Sequence, residues 1–187
     1  MKNILFFAGS NSPKSVNQRV IVTISEMFKQ TTNTVINLRD FPMPVYSIET
    51  EQKEGIPENT KKLKEQIDKT DGLVISVPEN NGSITAVFKN TMDWLSRVDK
   101  NYKVLKDKPV LLLSVSPVGG GANSIIHAET ILKRLGAVIT GKIIISKFLE
   151  KFQDTDGKLQ FKDKVLRKEM EDLAANHASQ INSLPVS

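Results

Sequence analysis

Two stretches, "LVISV" at Leu73–Val77 and "VLLLSV" at Val110–Val115, constrain the fold most, because neither alternates polar with apolar residues. A strand with one face in water reads as an alternation; a continuous apolar run of strand length is covered on both faces, as in a parallel sheet between helical layers. The rest of the chain agrees. Ile4 to Ala8 is another such run, followed by helical spacing of Val20, Ile21, Ile24, Met27 and Phe28 between Val16 and Phe28. Thr34 to Leu38 reads as a short strand, then comes the proline-broken loop "RDFPMPVYS". "PENTKKLKEQIDKT" reads as a helix with Pro57 near its start, Gly72 to Val77 as a strand and Ala86 to Val98 as a helix. Val110 to Val115 is the fourth strand, Ser124 to Leu135 a helix stopped by Gly136, and Ala137 to Ser146 the fifth strand. "FQDTDGKLQF" predicts a hairpin turning at Asp156-Gly157, and Val165 to Ile181 a closing helix. Strand and helix in alternation give an α/β protein with helices on both faces of a parallel sheet. No repeat or linker divides the chain, so residues 1–187 are expected to form one domain, with the hairpin and last helix at about 150–182.

Composition removes several classes of chemistry. The chain has no cysteine, which excludes disulfides, thiolate catalysis and cysteine-ligated zinc. Two histidines, His127 and His177, are too few for an imidazole-rich metal site or a triad. The net charge of +5 is spread out: Lys61, Lys62, Lys64 and Lys69 interleave with Glu65 and Asp68, and Lys162, Lys164, Arg167 and Lys168 with Asp163, Glu169, Glu171 and Asp172. Mixed signs at helical spacing make a solvated face, so no nucleic-acid partner is expected. The first ten residues are too short for a secretory signal and no stretch reaches the roughly 20 apolar residues of a membrane span. A cytoplasmic protein without a membrane partner is the expectation.

In an open parallel sheet ligands sit outside the carboxyl ends of the strands, and three unusually polar turns fall there. The first, "GSNSPKSVNQR", precedes a helix whose unpaired N–H groups and dipole favour an anion; its serines also serve as caps, with Ser15 or Asn17 in that position. The Walker and GxGxxG spacings are absent. The second, "PENNGS", offers Asn80, Asn81 and Ser83 to the edge of a flat ligand, with Gly82 allowing close approach. Glu79 has no carboxylate or histidine neighbour in sequence and reads as an anchor for main-chain amides rather than a general base. The third, "SPVGGGANS", carries three consecutive glycines, which cost conformational entropy unless close approach or positive φ requires them.

Together "GSNSPKSVNQR", "PENNGSITAVFKNTMDWLSR" and "SPVGGGANS" resemble the NADPH-dependent FMN reductase family, which includes quinone, azo-dye and chromate reductases. The resemblance covers about residues 3 to 146 and implies a flavodoxin-like α/β/α sandwich with a five-stranded parallel sheet in the order 2-1-3-4-5. It implies bound FMN, reduced by NADPH or NADH, passing two electrons to a small-molecule acceptor such as a quinone, azo compound or free flavin. It places the FMN phosphate at Ser10, Ser12, Ser15, Val16 and Asn17. The ring and ribityl chain go to Pro78, Glu79, Asn80, Asn81, Gly82 and Ser83, and the third turn closes from Ser116 through Gly119 and Gly120. No catalytic side chain or metal is implied, since the flavin carries the hydride chemistry. A homodimer or homotetramer is implied, with the Trp94 helix near the interface; simple packing of Trp94 is the competing reading.

The chain departs from the family where Ser12 stands in place of an arginine, Asn80 in place of a tyrosine, and Thr85-Ala86 in place of Pro-Gly. Lys14 and Arg19 are the candidates to supply the missing charge. A non-enzymatic FMN-binding electron carrier or sensor is the rival reading; a carrier usually shows an acidic partner face, unlike a chain of net charge +5. His127 reads as a helix-surface residue, His177 as structural or exposed, and "DTDG" as a hairpin turn.

Overall fold

A computed structural model describes residues 1–183. Five strands, β1 (Lys2–Ala8), β2 (Thr31–Val35), β3 (Gly72–Ser76), β6 (Pro109–Val115) and β7 (Val138–Ile145), form one sheet in the order β2-β1-β3-β6-β7. Every pairing is parallel. Numbered by sequence among themselves, these strands give the expected order 2-1-3-4-5. β4 (Glu79–Asn80) and β5 (Ser83–Ile84) form a separate small hairpin, and β8 (Phe152–Thr155) and β9 (Lys158–Phe161) another.

Alternate residues of each buried strand feed two cores. Leu5, Phe7, Leu73, Ile75 and Leu112 point to one face, which is covered by α3 (Glu58–Asp68), α4 (Ala86–Arg97) and α5 (Ala122–Arg134). Ile4, Phe6, Val74, Leu111 and Leu113 point to the other, beneath α1 (Val16–Ser25), the short α6 (Phe148–Lys151) and α7 (Lys164–Ser183). The continuous apolar runs are thus read from both sides. Each fully buried Leu, Ile or Phe stabilises the fold by about 1.5–3 kcal/mol.

Three local differences from the sequence reading have physical causes. β2 lies earlier than Thr34–Leu38, because Asn37 accepts from Arg39 N–H at 3.0 Å and starts a 3₁₀ turn at Leu38–Asp40. The short helix α2 (Ile48–Glu54) has no buried residue and so no apolar period to reveal it; Ser47 caps it and Glu51 pairs with Arg97 of α4 at 2.9 Å. The loop Arg39–Ser47 wraps α4: Trp94 Nε1–H donates to Pro44 O at 2.8 Å, Asn90 holds Tyr46 N–H and Pro44 O, and the Tyr46 ring meets Trp94 edge-on at 5.1 Å. Thr91, Trp94 and Leu95 are therefore buried within the chain. Trp94 is thus a packing residue, the competing reading of that side chain.

The hairpin β8–β9 turns at Asp156-Gly157, with φ 52° and 78°, as its sequence predicts. It packs on α1, where Thr23 donates to Leu159 O and Arg19 pairs with Asp154. His177 is buried on α7, and its Nδ1 meets Thr140 Oγ1 at 2.7 Å. The Thr140 hydroxyl also lies 3.1 Å from Val110 O.

Candidate functional site

A cleft of about 360 Å³ opens outside the carboxyl ends of β1, β3 and β6, in the size range of small-molecule sites. All three polar turns reach it.

In the first turn the main chain folds onto its own serines. Ser10 Oγ accepts from Ser12 N–H at 3.2 Å, Ser12 Oγ from Lys14 N–H at 3.3 Å, and Ser15 Oγ from Gln18 N–H at 3.1 Å. Ser15 is thereby the N-cap of α1. Each hydroxyl has accepted a main-chain proton, and its own proton has no acceptor among the described residues. The N–H groups of Val16 and Asn17, first in the helix, have no intrahelical acceptor. These atoms form a set of donors without acceptors, in the field of a helix N-terminus, which is the chemistry of a phosphate site. No lysine or arginine is among the described residues lining the cleft. Neither candidate for the charge missing at Ser12 lines the cleft: Arg19 pairs with Asp154, and Lys14 lies outside the lining.

The next two residues of α1 finish the strands. Asn17 is buried; its Nδ2 donates to Val115 O at 2.8 Å, and its Oδ1 accepts from Val115 N–H at 3.0 Å and from the Ser76 hydroxyl at 2.7 Å. Gln18 accepts from Ala8 N–H at 3.0 Å and donates to Ile36 O at 2.9 Å.

Pro78 has no N–H, so the β3 ladder stops there and the chain leaves for the hairpin β4–β5. Asn81 and Gly82, at φ 51° and 74°, make its two-residue turn; Asn-Gly is a hairpin dipeptide, and this signal lay in the sequence unread. Pro78, Glu79 and Asn80 line the cleft, whereas Asn81 and Gly82 sit at the hairpin tip and Ser83 turns to His127 Nδ1 at 2.9 Å. Glu79 anchors the third turn, as its sequence context suggests: Oε2 accepts from the N–H groups of Gly121 at 2.8 Å, Asn123 at 3.1 Å and Ser124 at 3.4 Å. Desolvation pushes the Glu79 carboxyl up, but these hydrogen bonds together outweigh it and hold the group below the usual carboxylate range. The N-terminus of α5 is thus already occupied by an anion of the chain.

Ser116 and Pro117 bring the third turn to the cleft. Ser116 donates its hydroxyl proton to Gly119 O at 2.6 Å, and Gly119 and Gly120 lie outside the lining. Gly120 and Gly121 have φ of 99° and 102°, and a Cβ on Gly121 would stand 2.7 Å from Ser114 Oγ. Positive φ and close approach together account for two of the three glycines.

Asn11 and Pro117, within the first and third turns, also line the cleft, as do Thr85 and Ala86, read from sequence only as a departure from the family, and Val87 and Val115, which sequence reasoning passed over as site residues. Thr85 caps α4, accepting from Phe88 N–H at 3.2 Å and donating to Gly9 O at 2.6 Å. The start of a second helix therefore faces the same cleft; a threonine three residues before Phe88, at the departure from Pro-Gly, was the available clue. Glu79 is the one titratable side chain among the described lining residues. With its carboxylate committed to amides, the cleft binds and orients; it is not built to shuttle protons.

The model of the NADPH-dependent FMN reductases matches residues 2–150. The chain belongs to the NADPH-dependent FMN reductase family. Within this family it resembles a quinone reductase of Escherichia coli (strain K12), at 41% identity over 101 residues, 54% of this chain and 53% of that one. The chain thus aligns with about half the length of that relative. A quinone reductase of Pseudomonas putida is 27% identical over 164 residues, 86% of each chain. Among solved structures, the fold is that of the flavoenzyme NAD(P)H:(acceptor) oxidoreductase FerB from Paracoccus denitrificans, with a TM-score of 0.80 over 97% of this chain and 98% of that one at 20% identity. The flavodoxin-like fold read from the three turns is therefore that of the family. Among the described residues no helix is long and apolar enough to cross a membrane.

Proposed function

We propose that this family member binds FMN in the cleft and passes two electrons from NADPH or NADH through it to a small acceptor such as a quinone, an azo compound or free flavin. The observation that carries the reading is the donor-only first turn: three hydroxyls and two helix amides with no acceptor of their own, aimed where a phosphate monoester would lie. Ser10, Ser12, Ser15 and the main chain of Val16 and Asn17 would hold the phosphate, and Ser12 would give a neutral hydroxyl in place of a guanidinium. Because Glu79 occupies the α5 amides, the cleft retains the N-termini of α1 and α4 for a ligand. The start of α4 at Ala86 and Val87 favours negative charge, which suits an electron-rich reduced ring. Bound flavin supplies the hydride-accepting and electron-donating chemistry. The chain's own part is to fix the phosphate, keep Asn80 and Pro78 beside the ring, and leave one face open to nicotinamide and acceptor in turn.

Anaerobic titration tests this. Apoprotein should take up FMN, and NADPH or NADH should bleach the flavin absorbance, which a quinone then restores. A protein that takes up no FMN refutes the site; bound flavin that neither nicotinamide reduces refutes the reductase and leaves a carrier or sensor. Self-association as a homodimer or homotetramer rests on the family relation, since Trp94 and Leu95 are buried within the chain. Sedimentation at micromolar concentration should give a dimer or larger species; a fully active monomer would refute it.

A further inference from the structure

We propose that the Asn17 side chain is a positioning residue, standing in for the missing strand neighbour of Val115, and that only its main-chain N–H faces the ligand phosphate. The inference rests on the flavin reading above. β3 pairs with β6 as far as Ser76 opposite Leu113, and Val77 N–H still reaches Leu113 O at 2.8 Å. In a parallel ladder the residue two further on presents its N–H and C=O to the same side. That residue is Val115, whose ladder partners would be Val77 O and the N–H of Glu79; Val77 O instead accepts from the Ser124 hydroxyl, and Glu79 has departed into the hairpin. The Asn17 amide fills the gap as a peptide group would, donating to Val115 O at 2.8 Å and accepting from Val115 N–H at 3.0 Å. The Ser76 hydroxyl, at 2.7 Å, fixes its orientation from β3. Both lone pairs of Oδ1 and a proton of Nδ2 are committed, in a residue that is 3% exposed. The asparagine therefore sets the distance between the first turn, near whose end it lies, and the third turn, which follows Val115. Flavin touching both turns depends on that distance, whether or not it carries a phosphate.

Asn17→Asp separates the roles. It keeps the Oδ acceptors but turns a carboxylate oxygen without a proton toward Val115 O. Without ligand, the variant should be less stable to urea than wild type near pH 8, and the difference should shrink toward about pH 5 as the new acid gains a proton to donate. Near pH 8 it should bind riboflavin about tenfold or more weakly, and FMN more weakly still because the new carboxylate repels the phosphate beside it, both recovering with acid. Loss of FMN alone, with riboflavin unchanged, would mean that the side chain contacts the phosphate and overturns the proposal. Lower stability with both affinities unchanged would overturn it too, by showing a role in the fold alone. Should Asn17→Asp not fold, Ser76→Ala removes one of the three bonds and should weaken both flavins a few-fold and equally; an unchanged or FMN-selective result overturns the proposal. Wild type that takes up neither flavin, while Asn17→Asp still recovers with acid, would refute the flavin reading and leave the strand-mimic role of Asn17 supported.

Discussion

Acidification should loosen α7 through one buried ring. His177 is 1% exposed and its Nδ1 lies 2.7 Å from Thr140 Oγ1. Burial pushes the imidazole down from 6.5 to about 4, with the Leu73 main chain offsetting this only in part. The folded protein therefore keeps the ring neutral in a range where the unfolded chain takes up a proton. The contribution is fully present above about pH 6.5 and is lost as pH falls toward about 4, where it levels off. At about 1.4 kcal/mol per tenfold in proton affinity, the fall to about 4 corresponds to about 3 kcal/mol, a large share of an ordinary domain's 5–15 kcal/mol. Urea unfolding at a series of pH values should show wild type losing about that much across the window. His177→Gln, of lower absolute stability, should lose about 3 kcal/mol less over the same range. Parallel pH profiles for the two proteins would refute the reasoning, because the lost stability would then belong to other groups.

Ser15→Ala removes a cap and one phosphate donor together, so FMN should weaken about tenfold or more while riboflavin changes little, which fluorescence titration measures. Equal losses would show that the phosphate lies elsewhere. Glu79, held below the usual carboxylate range, contributes stability that is present above its unfolded value and lost as pH falls through its folded one. The protection of the Gly121 and Ser124 amides against hydrogen exchange, relative to their intrinsic rates, should therefore fall as acid protonates Glu79, and Glu79→Gln should flatten that fall. Gly121→Ala, placing a methyl against Ser114 at φ 102°, should destabilise by about 1–3 kcal/mol in urea melts; a neutral result would mean the third turn can relax.

What could be read from the sequence follows the range of the forces involved. β3 and β6 were legible because burial on both faces leaves a run with no polar residue but serine, and Ser76 and Ser114 find partners inside. β2 was misplaced because Thr31–Val35 is a half-exposed edge strand with no apolar run. The anchoring role of Glu79 was legible from the absence of a titratable neighbour. The role of the Asn17 side chain was not: its partners Ser76 and Val115 lie 59 and 98 residues away, and no local rule links them. The loop around Trp94 hid for the same reason, since an apolar helix face does not say whether a neighbouring loop or another molecule will cover it.

Asn17 and Gln18 are adjacent in sequence yet reach in opposite directions, to Val115 and Ser76 on one side and to Ala8 and Ile36 on the other. One helical turn is thereby tied to the ends of β6, β3 and β1 and to the residue that follows β2, four of the five strands of the sheet. A ligand gripping this turn is coupled to the opening of the sheet as a whole. At a hundredfold excess over its dissociation constant such a ligand adds about 2.7 kcal/mol, and the hydrogen bonds of Ala8 and Val115 to this turn are where that increment is expected to reach the sheet. The cleft is the keystone of the carboxyl edge: its occupancy should show in the solvent protection of main-chain groups outside its lining, such as the amide of Ala8.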